Sequence, residues 1–463
     1  MAQKKKGVSS HRHGNLANRK APNKKKSILN TKIISNGEEA TQKFNKKKKK
    51  SIRPYQICKG KSIVEPSNDN TDQMQIDQVI RIYLQDEIMM DILTKLPVQS
   101  LLRFKCVSEF WNSLINDTYF RMKHYIHSKN DQNSQKFLIT ESFYDKDDVY
   151  NFSTSSLSMV QVVEDEQKLD CPSSCKPTNV ILFCSCDGLV LIFVSSRGLY
   201  DSSARLYEEL LLWNLSTRES ILLPHPEFRV VYCVCGLGYD ATSEDYKILA
   251  INLNADDSFN TSIEVLSLKS GSWRRIGYPT GIQRVSGFRN CGMDYLAFLH
   301  GAFHWLGMTL SGYYTTISFN ISNEVYGEVP LLEKMYHVCP SYRYIDRGVS
   351  VLRGMLCFYS TYNYWEMGMD CTFMLWIMKD YDVRESWTNF IKIRDTNLFH
   401  SARPKYMFAD CEVLLHCKRL GCVCSKFTTS RGPFGLYCPQ CQCVTVKQGI
   451  VYVESLISPK SLT

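Results

Sequence analysis

One outline recurs four times in the last two thirds of the chain: ELLLWNLST at 209–217, TSIEVLSLKSGSW at 261–273, TTISFNISNEVYGEV at 315–329 and FMLWIMKDYDVRESW at 373–387. Each is an alternating apolar strand, a polar turn and the start of another strand. Taken from Leu210, Thr261, Thr315 and Phe373, the spacings are 51, 54 and 58 residues. A second series interleaves with the first, a turn leading into a hydrophobic strand: Asp187-Gly188 before LVLIF, His300-Gly301 before AFHWLG, and Arg353-Gly354 before MLCFY. The repeated unit therefore has about four strands. A period near 50 residues with four strands per unit predicts a β-propeller, whose blades bury their faces against neighbours around a central axis. A β-sandwich of irregular length is the competing arrangement.

Ahead of the strands the pattern is helical. Leu84, Ile88, Ile92 and Leu96 recur every four residues, Leu93 widens the stripe, and Gln85, Asp91, Thr94 and Lys95 fall elsewhere. Asp86 and Glu87 suit the positive end of that helix and Pro97 stops it. Leu101, Leu102 and Phe104 mark a second helix. Val107, Trp111, Leu114 and Ile115 follow at i, i+4, i+7 and i+8, with Ser108 available as N-cap. Three short helices in some 40 residues make a core barely large enough to stand alone, so the unit tends to need a partner.

These residues carry a resemblance. YLQDEIMMDILTKLPVQSLLRFKCVSEFWNSLINDTYF resembles the F-box of plant F-box proteins along its whole length, with Gln85 where that family usually has Pro. DGLVLIF, LLLWNLSTRE, GLGYDATSEDYKI, SIEVLSLKSGSWR, FLHGAFHWL and the closing VYVESLISP resemble the F-box-associated domain of plants, a kelch-like propeller. The expected architecture is multidomain, α followed by all-β: a disordered Lys-rich tail at 1–78, a three-helix F-box at 79–127 and a kelch-like β-propeller at 136–459. The resemblance implies the substrate-recognition subunit of an SCF-type (Skp, cullin, F-box) E3 ubiquitin ligase. Such a subunit is not itself an enzyme. It docks on a Skp-type adaptor, and through it a cullin-RING ligase, and holds a protein target whose identity is unknown. The positions matching the adaptor contact are Leu84, Ile88, Ile92, Leu96, Pro97, Leu101, Leu102, Val107 and Trp111. Some of them must also form the unit's own core.

Charge separates the tail from the rest. Of a net +10, residues 1–60 hold 18 Lys and Arg against Glu38 and Glu39, which leaves the other 403 residues at −6. Attraction to polyanions therefore belongs to the tail, and nucleic acid is not an expected partner of the folded part. Its basic runs, Lys46 to Lys50 among them, suit nuclear import, so localisation is expected in the nucleus, the cytoplasm or both. The alternative function is a non-catalytic, nuclear or nucleic-acid-associated interaction protein directed by this tail. No run approaches the roughly 20 apolar residues that cross a bilayer, and no secretory h-region opens the chain, so a soluble intracellular protein without membrane contact is expected.

No catalytic constellation emerges, and no cofactor is expected. His300 and His304 are four apart but flank a strand, without a third ligand. Cys184, Cys186, Cys233, Cys235 and Cys357 sit in strand-like apolar runs and read as small buried hydrophobes. The cluster Cys417, Cys422, Cys424, Cys438, Cys441 and Cys443 has spacing that could surround zinc, yet it continues the propeller-like run, so no metal is assigned. Target contacts are expected on blade-end loops, with Arg197 to Tyr207, Asn252 to Asn260, Lys334 to Arg347 and Tyr362 to Asp370 as candidates.

Overall fold

The turns organise the sheets. In the structure, a computed structural model, Asp187 and Gly188, His300 and Gly301, and Arg353 and Gly354 all have positive φ. Two consecutive residues of that kind make the type I′ turn, whose twist matches that of the flanking strands, so each pair closes a tight hairpin. The structure describes residues 86–143, 150–157, 167–174, 176–196, 207–253, 262–285, 296–336, 342–364, 371–395, 401–418, 425–429 and 444–463. They belong to one compact unit. The tail, Leu84, and the cysteines from Cys422 to Cys443 lie outside the described residues.

Among the described residues four helices come first: α1 (Asp86–Leu93), α2 (Val98–Phe104), α3 (Glu109–Asn116) and α4 (Thr118–Asn130). Ser108 caps α3 by accepting the Trp111 N–H, as its position suggests. The fourth helix extends the expected three because Asp117 accepts the N–H groups of Tyr119 and Phe120 and starts a new helix directly after α3.

Strands β1 (Gln135–Phe143), β2 (Tyr150–Ser156) and β3 (Gln167–Leu169) follow, then three four-stranded sheets and one of five strands. These are β4 (Asn179–Cys186), β5 (Leu189–Ser195), β6 (Glu208–Asn214) and β7 (Glu219–Leu223); β8 (Cys233–Asp240), β9 (Asp245–Asn252), β10 (Ile263–Ser267) and β11 (Ser272–Ile276); and β12 (Ile282–Val285), β13 (Ala297–Leu299), β14 (Ala302–Thr309), β15 (Tyr314–Asn320) and β16 (Tyr326–Val329). The last of them holds β17 (Tyr342–Leu352), β18 (Met355–Tyr364), β19 (Cys371–Met378) and β20 (Trp387–Asp395). Finally β21 (Ser401–Met407), β22 (Val413–Lys418), β23 (Ser425–Thr429) and β24 (Val444–Val453) join the first three strands in one seven-stranded sheet, in the order β21-β22-β23-β24-β1-β2-β3.

This is a five-bladed β-propeller, and its cores lie between blades. Phe193 and Leu210 of one blade pack with Ile248 and Leu266 of the next; Ile251 and Val265 pack with Trp305 and Phe319; Leu306 packs with Phe358 and Trp376; Phe373 and Leu375 pack with Val413 and Leu415. Ile450 and Tyr452 on β24 pack with Val190 and Trp213, so the last strand meets the first four-stranded blade and closes the ring. Pairing of β24 with β1, from Val453 opposite Gln135 onward, ties the two ends of the propeller together.

A second device repeats between blades. The indole Nε1 of Trp273 donates to the Pro224 carbonyl (2.8 Å), the Tyr326 hydroxyl to the Gly277 carbonyl (2.7 Å), and the Trp387 indole to the Pro330 carbonyl (3.1 Å). In each case the donor is the first or second residue of the last strand of its blade, and the acceptor is the residue just after the last strand of the previous blade. The outer rim is thereby stitched blade to blade.

Candidate protein-interaction surface

In α1 the stripe divides. Met89 and Leu93 are buried in the helical core with Val98, Leu101, Ile115 and Phe120, whereas Ile88 and Ile92 are 48% and 51% exposed. Four-apart residues share a helix face, so Ile88 and Ile92 form an outward apolar row and Leu93 belongs to the opposite, inward side. Asp91 beside that row is ion-paired with Lys123 of α4, which holds its carboxyl below the usual range.

Apolar exposure resumes past the break. Leu96 is half-buried and Pro97 exposed. The carbonyl of Leu96 lies 2.9 Å from Nε2 of the buried His124. A carbonyl can only accept, so Nε2 carries the proton and Nδ1 accepts from the Ser128 hydroxyl at 3.4 Å. Burial lowers the pKa of His124, consistent with this neutral form. Beyond α2, Val107 is 50% exposed and Phe104 37%, with the Trp111 ring half-buried between Phe104 (5.8 Å) and Phe110 (5.5 Å). Leu102 is half-buried and Leu101 wholly enclosed, so Leu101 supports the surface from beneath.

The helical unit is fixed to the propeller by the end of the closing VYVESLISP run, which the sequence reading assigns to the propeller and not to this contact. After β24, Leu456 enters the helical core and is 1% exposed. On either side of it, Asn214 Nδ2 donates to the carbonyls of Ser455 (3.1 Å) and Ile457 (2.7 Å). Gly188 makes room for this segment: its φ is +83°, and a Cβ there would come within 2.6 Å of the Val453 carbonyl. Gln99 of α2 donates to the Ser216 carbonyl, and Tyr125 of α4 hydrogen-bonds Asp187, which also accepts from the Tyr246 hydroxyl. The only sequence signal for this clamp is the apolar pair in the closing SLISP.

These anchor points, Asp187 and Ser216, sit in the first-to-second and third-to-fourth strand turns of the β4–β7 blade. Second-to-third strand connections leave from the other end of an antiparallel blade. There the β14–β15 turn exposes Leu310 (73%) and Tyr313 (50%). The candidate target loops at Arg197 to Tyr207, Asn252 to Asn260 and Tyr362 to Asp370 leave from the same end, and, with the Lys334 to Arg347 loop, fall partly outside the described residues. His304 is fully buried, its ring nitrogens beside the Ala297 carbonyl (3.3 Å) and the Tyr381 hydroxyl (2.7 Å), and His300 stands in the preceding turn with its ring 4.9 Å from that of Tyr381. Of the strand cysteines, Cys233, Cys235 and Cys357 are buried and Cys184 and Cys186 half-buried; Cys417 is also buried, on β22. Burial pushes the Cys357 thiol up to about 12. Among the described residues no group of three or more His, Cys, Asp or Glu is placed to hold a metal ion, and no helix is long and apolar enough to cross a membrane.

Comparison with known proteins places these parts. The F-box associated beta propeller domain family matches residues 140–458, and the F-box domain family matches residues 83–123. An F-box/kelch-repeat protein of Arabidopsis thaliana is 26% identical over 389 residues, which is 81% of this chain and 96% of the relative. The F-box protein CPR1 of the same plant is 27% identical over 333 residues, 66% of this chain and 72% of the relative. Among solved structures, TolB from Acinetobacter baumannii aligns with a TM-score of 0.41 at 9% identity over 72% of each chain.

Proposed function

This chain belongs to the F-box proteins that carry an F-box-associated β-propeller, and from that premise we propose that it is the non-catalytic substrate-recognition subunit of an SCF-type E3 ubiquitin ligase. The observation that carries the reading is the exposure of apolar Ile88 and Ile92 on α1 and of Phe104 and Val107 at and after the end of α2, on a helical unit clamped to a propeller. These side chains offer a Skp-type adaptor a surface that water solvates poorly, and burying it drives docking. The propeller end away from the helical unit holds the protein target. Holding the target beside a charged conjugating enzyme turns an encounter between two solutes into a nearly intramolecular one, so the receptor needs no proton-transfer group or nucleophile. Work in the nucleus or cytoplasm fits this role.

The test is co-purification of the full chain with a Skp-type adaptor, comparing parent with the double variant Ile88→Asp, Ile92→Asp. Both side chains are half exposed, so the variant folds, whereas Asp at the enclosed Leu101 would unfold the unit and mimic a lost contact. Burying two unpaired carboxylates at the contact costs several kcal/mol, so affinity falls at least about 100-fold. Retention of the adaptor by the variant at parental affinity would refute docking through this face.

A further inference from the structure

Where the helical unit, the β7 edge and the C-terminal segment meet there is a cleft of about 340 Å³. Taking about 30 Å³ for each water, it holds on the order of ten waters. Three cations line it, Lys105 at the end of α2, Arg121 on α4 and Lys460 after β24, against the single carboxylate of Glu219. Lys105 donates to the Asn116 side chain (2.7 Å), and Arg121 to the Asn116 carbonyl through Nε (2.9 Å) and to the Ser461 hydroxyl (3.5 Å). Among the described residues none of the three cations is in an ion pair. Partial burial depresses the pKa of Lys105, and the neighbouring Arg121 charge depresses it further; burial also depresses that of Arg121. Two partly desolvated cations repel one another, offset by the Glu219 carboxylate at both and by Asp117 at Arg121 without a direct ion pair to either, an arrangement that a bound anion would relieve further.

We propose that this cleft binds a small phosphate-bearing molecule, with its phosphate between Lys105, Arg121 and Lys460. Forked guanidinium and ammonium donors suit phosphate oxygens, and Ser458 lies on the same wall beside Ser461, whose hydroxyl donates to the Ser458 carbonyl (2.8 Å). Because Lys105 and Arg121 belong to the helical unit and Lys460 to the segment that follows the propeller, the ligand fastens one to the other. Ile88 and Ile92 do not line the cleft, so occupancy of the cleft is read separately from docking on those two residues, although Leu102, one of the positions matching the adaptor contact, lies on its wall.

Calorimetric titration of the full chain with pyrophosphate at 0.15 M salt tests it. Saturable one-to-one binding is expected, and the Lys105→Gln, Lys460→Gln double variant should bind at least about tenfold more weakly. Lys460 is exposed and makes no hydrogen bond among the described residues, so Lys460→Glu is a second variant that leaves folding untouched and should weaken binding by a similar factor. In hydrogen exchange, pyrophosphate should protect amides around Arg121 and in 455–461 of the parent but not of the variants. Two results overturn the proposal: no saturable binding by the parent at millimolar pyrophosphate, or equal affinity in parent and both variants, which would assign the binding to the Lys-rich residues 1–60 that all three share.

Discussion

His304 shows how one residue can be conspicuous in sequence for the wrong reason. Four positions after His300 it suggests a ligand pair, but on β14 the side chain is enclosed between the Ala297 carbonyl and the Tyr381 hydroxyl, and its pKa is lowered to about 4 chiefly by burial. The folded state therefore resists protonation while the unfolded chain takes a proton near 6.5, so the unfolded state binds more protons between those values. Stability is full above about pH 6.5 and falls as the pH drops toward 4. By pH 5 this one group costs about 2 kcal/mol. Urea denaturation at pH 7.5 and pH 5.0 should show the parent losing about that much more than His304→Gln; equal losses would mean the ring is not held neutral. Nothing in HGAFHWL distinguishes a buried, satisfied histidine from a ligand, because the Tyr381 hydroxyl comes from the next blade, 77 residues on.

Elements were more legible than residues. A type I′ turn needs positive φ at two adjacent positions, a demand so narrow that Asp187-Gly188, His300-Gly301 and Arg353-Gly354 mark their hairpins in the bare sequence. The spacing of ELLLWNLST and its three counterparts likewise reports the last two strands of successive blades. What the repeat hides is why Trp273, Tyr326 and Trp387 recur after the polar turn. In sequence they are only aromatic strand residues; in the fold each donates to a carbonyl of the preceding blade, a contact made between repeats. Replacing tryptophan by phenylalanine keeps a ring and removes the donor. Trp387 is 3% exposed, so Trp387→Phe strands a partly buried carbonyl and should cost about 2 kcal/mol. Trp273 is more exposed, water can replace its donor, and Trp273→Phe should cost less than about 1 kcal/mol. Denaturant midpoints compared at equal slope measure both. Equal costs would mean ring packing, not the hydrogen bond, is what these positions supply.

At the scale of the whole molecule, the small size of the helical core governs how the two parts work together. Such a unit tends to need a partner, and the adaptor is the partner the sequence suggests; the fold provides another, Leu456 from the far end of the chain. Deleting a buried leucine side chain costs about 3 kcal/mol, the lost transfer energy plus that of the cavity. Because Leu456 packs among α1, α2, α3 and Phe120 of α4, the loss should fall on the helices first. The blades, whose cores lie at their own junctions, should be little affected. In Leu456→Ala, amide exchange in α2 and α3 should accelerate about 100-fold by local opening, while β5 and β9 exchange as in the parent. Adaptor affinity should fall in step, since the exposed apolar residues Ile88, Ile92, Phe104 and Val107 are presented only while those helices stay packed. Acceleration shared evenly by helices and strands would show that helical unit and propeller open as one cooperative body, and unchanged exchange in the helices would show that their packing does not depend on the C-terminal segment.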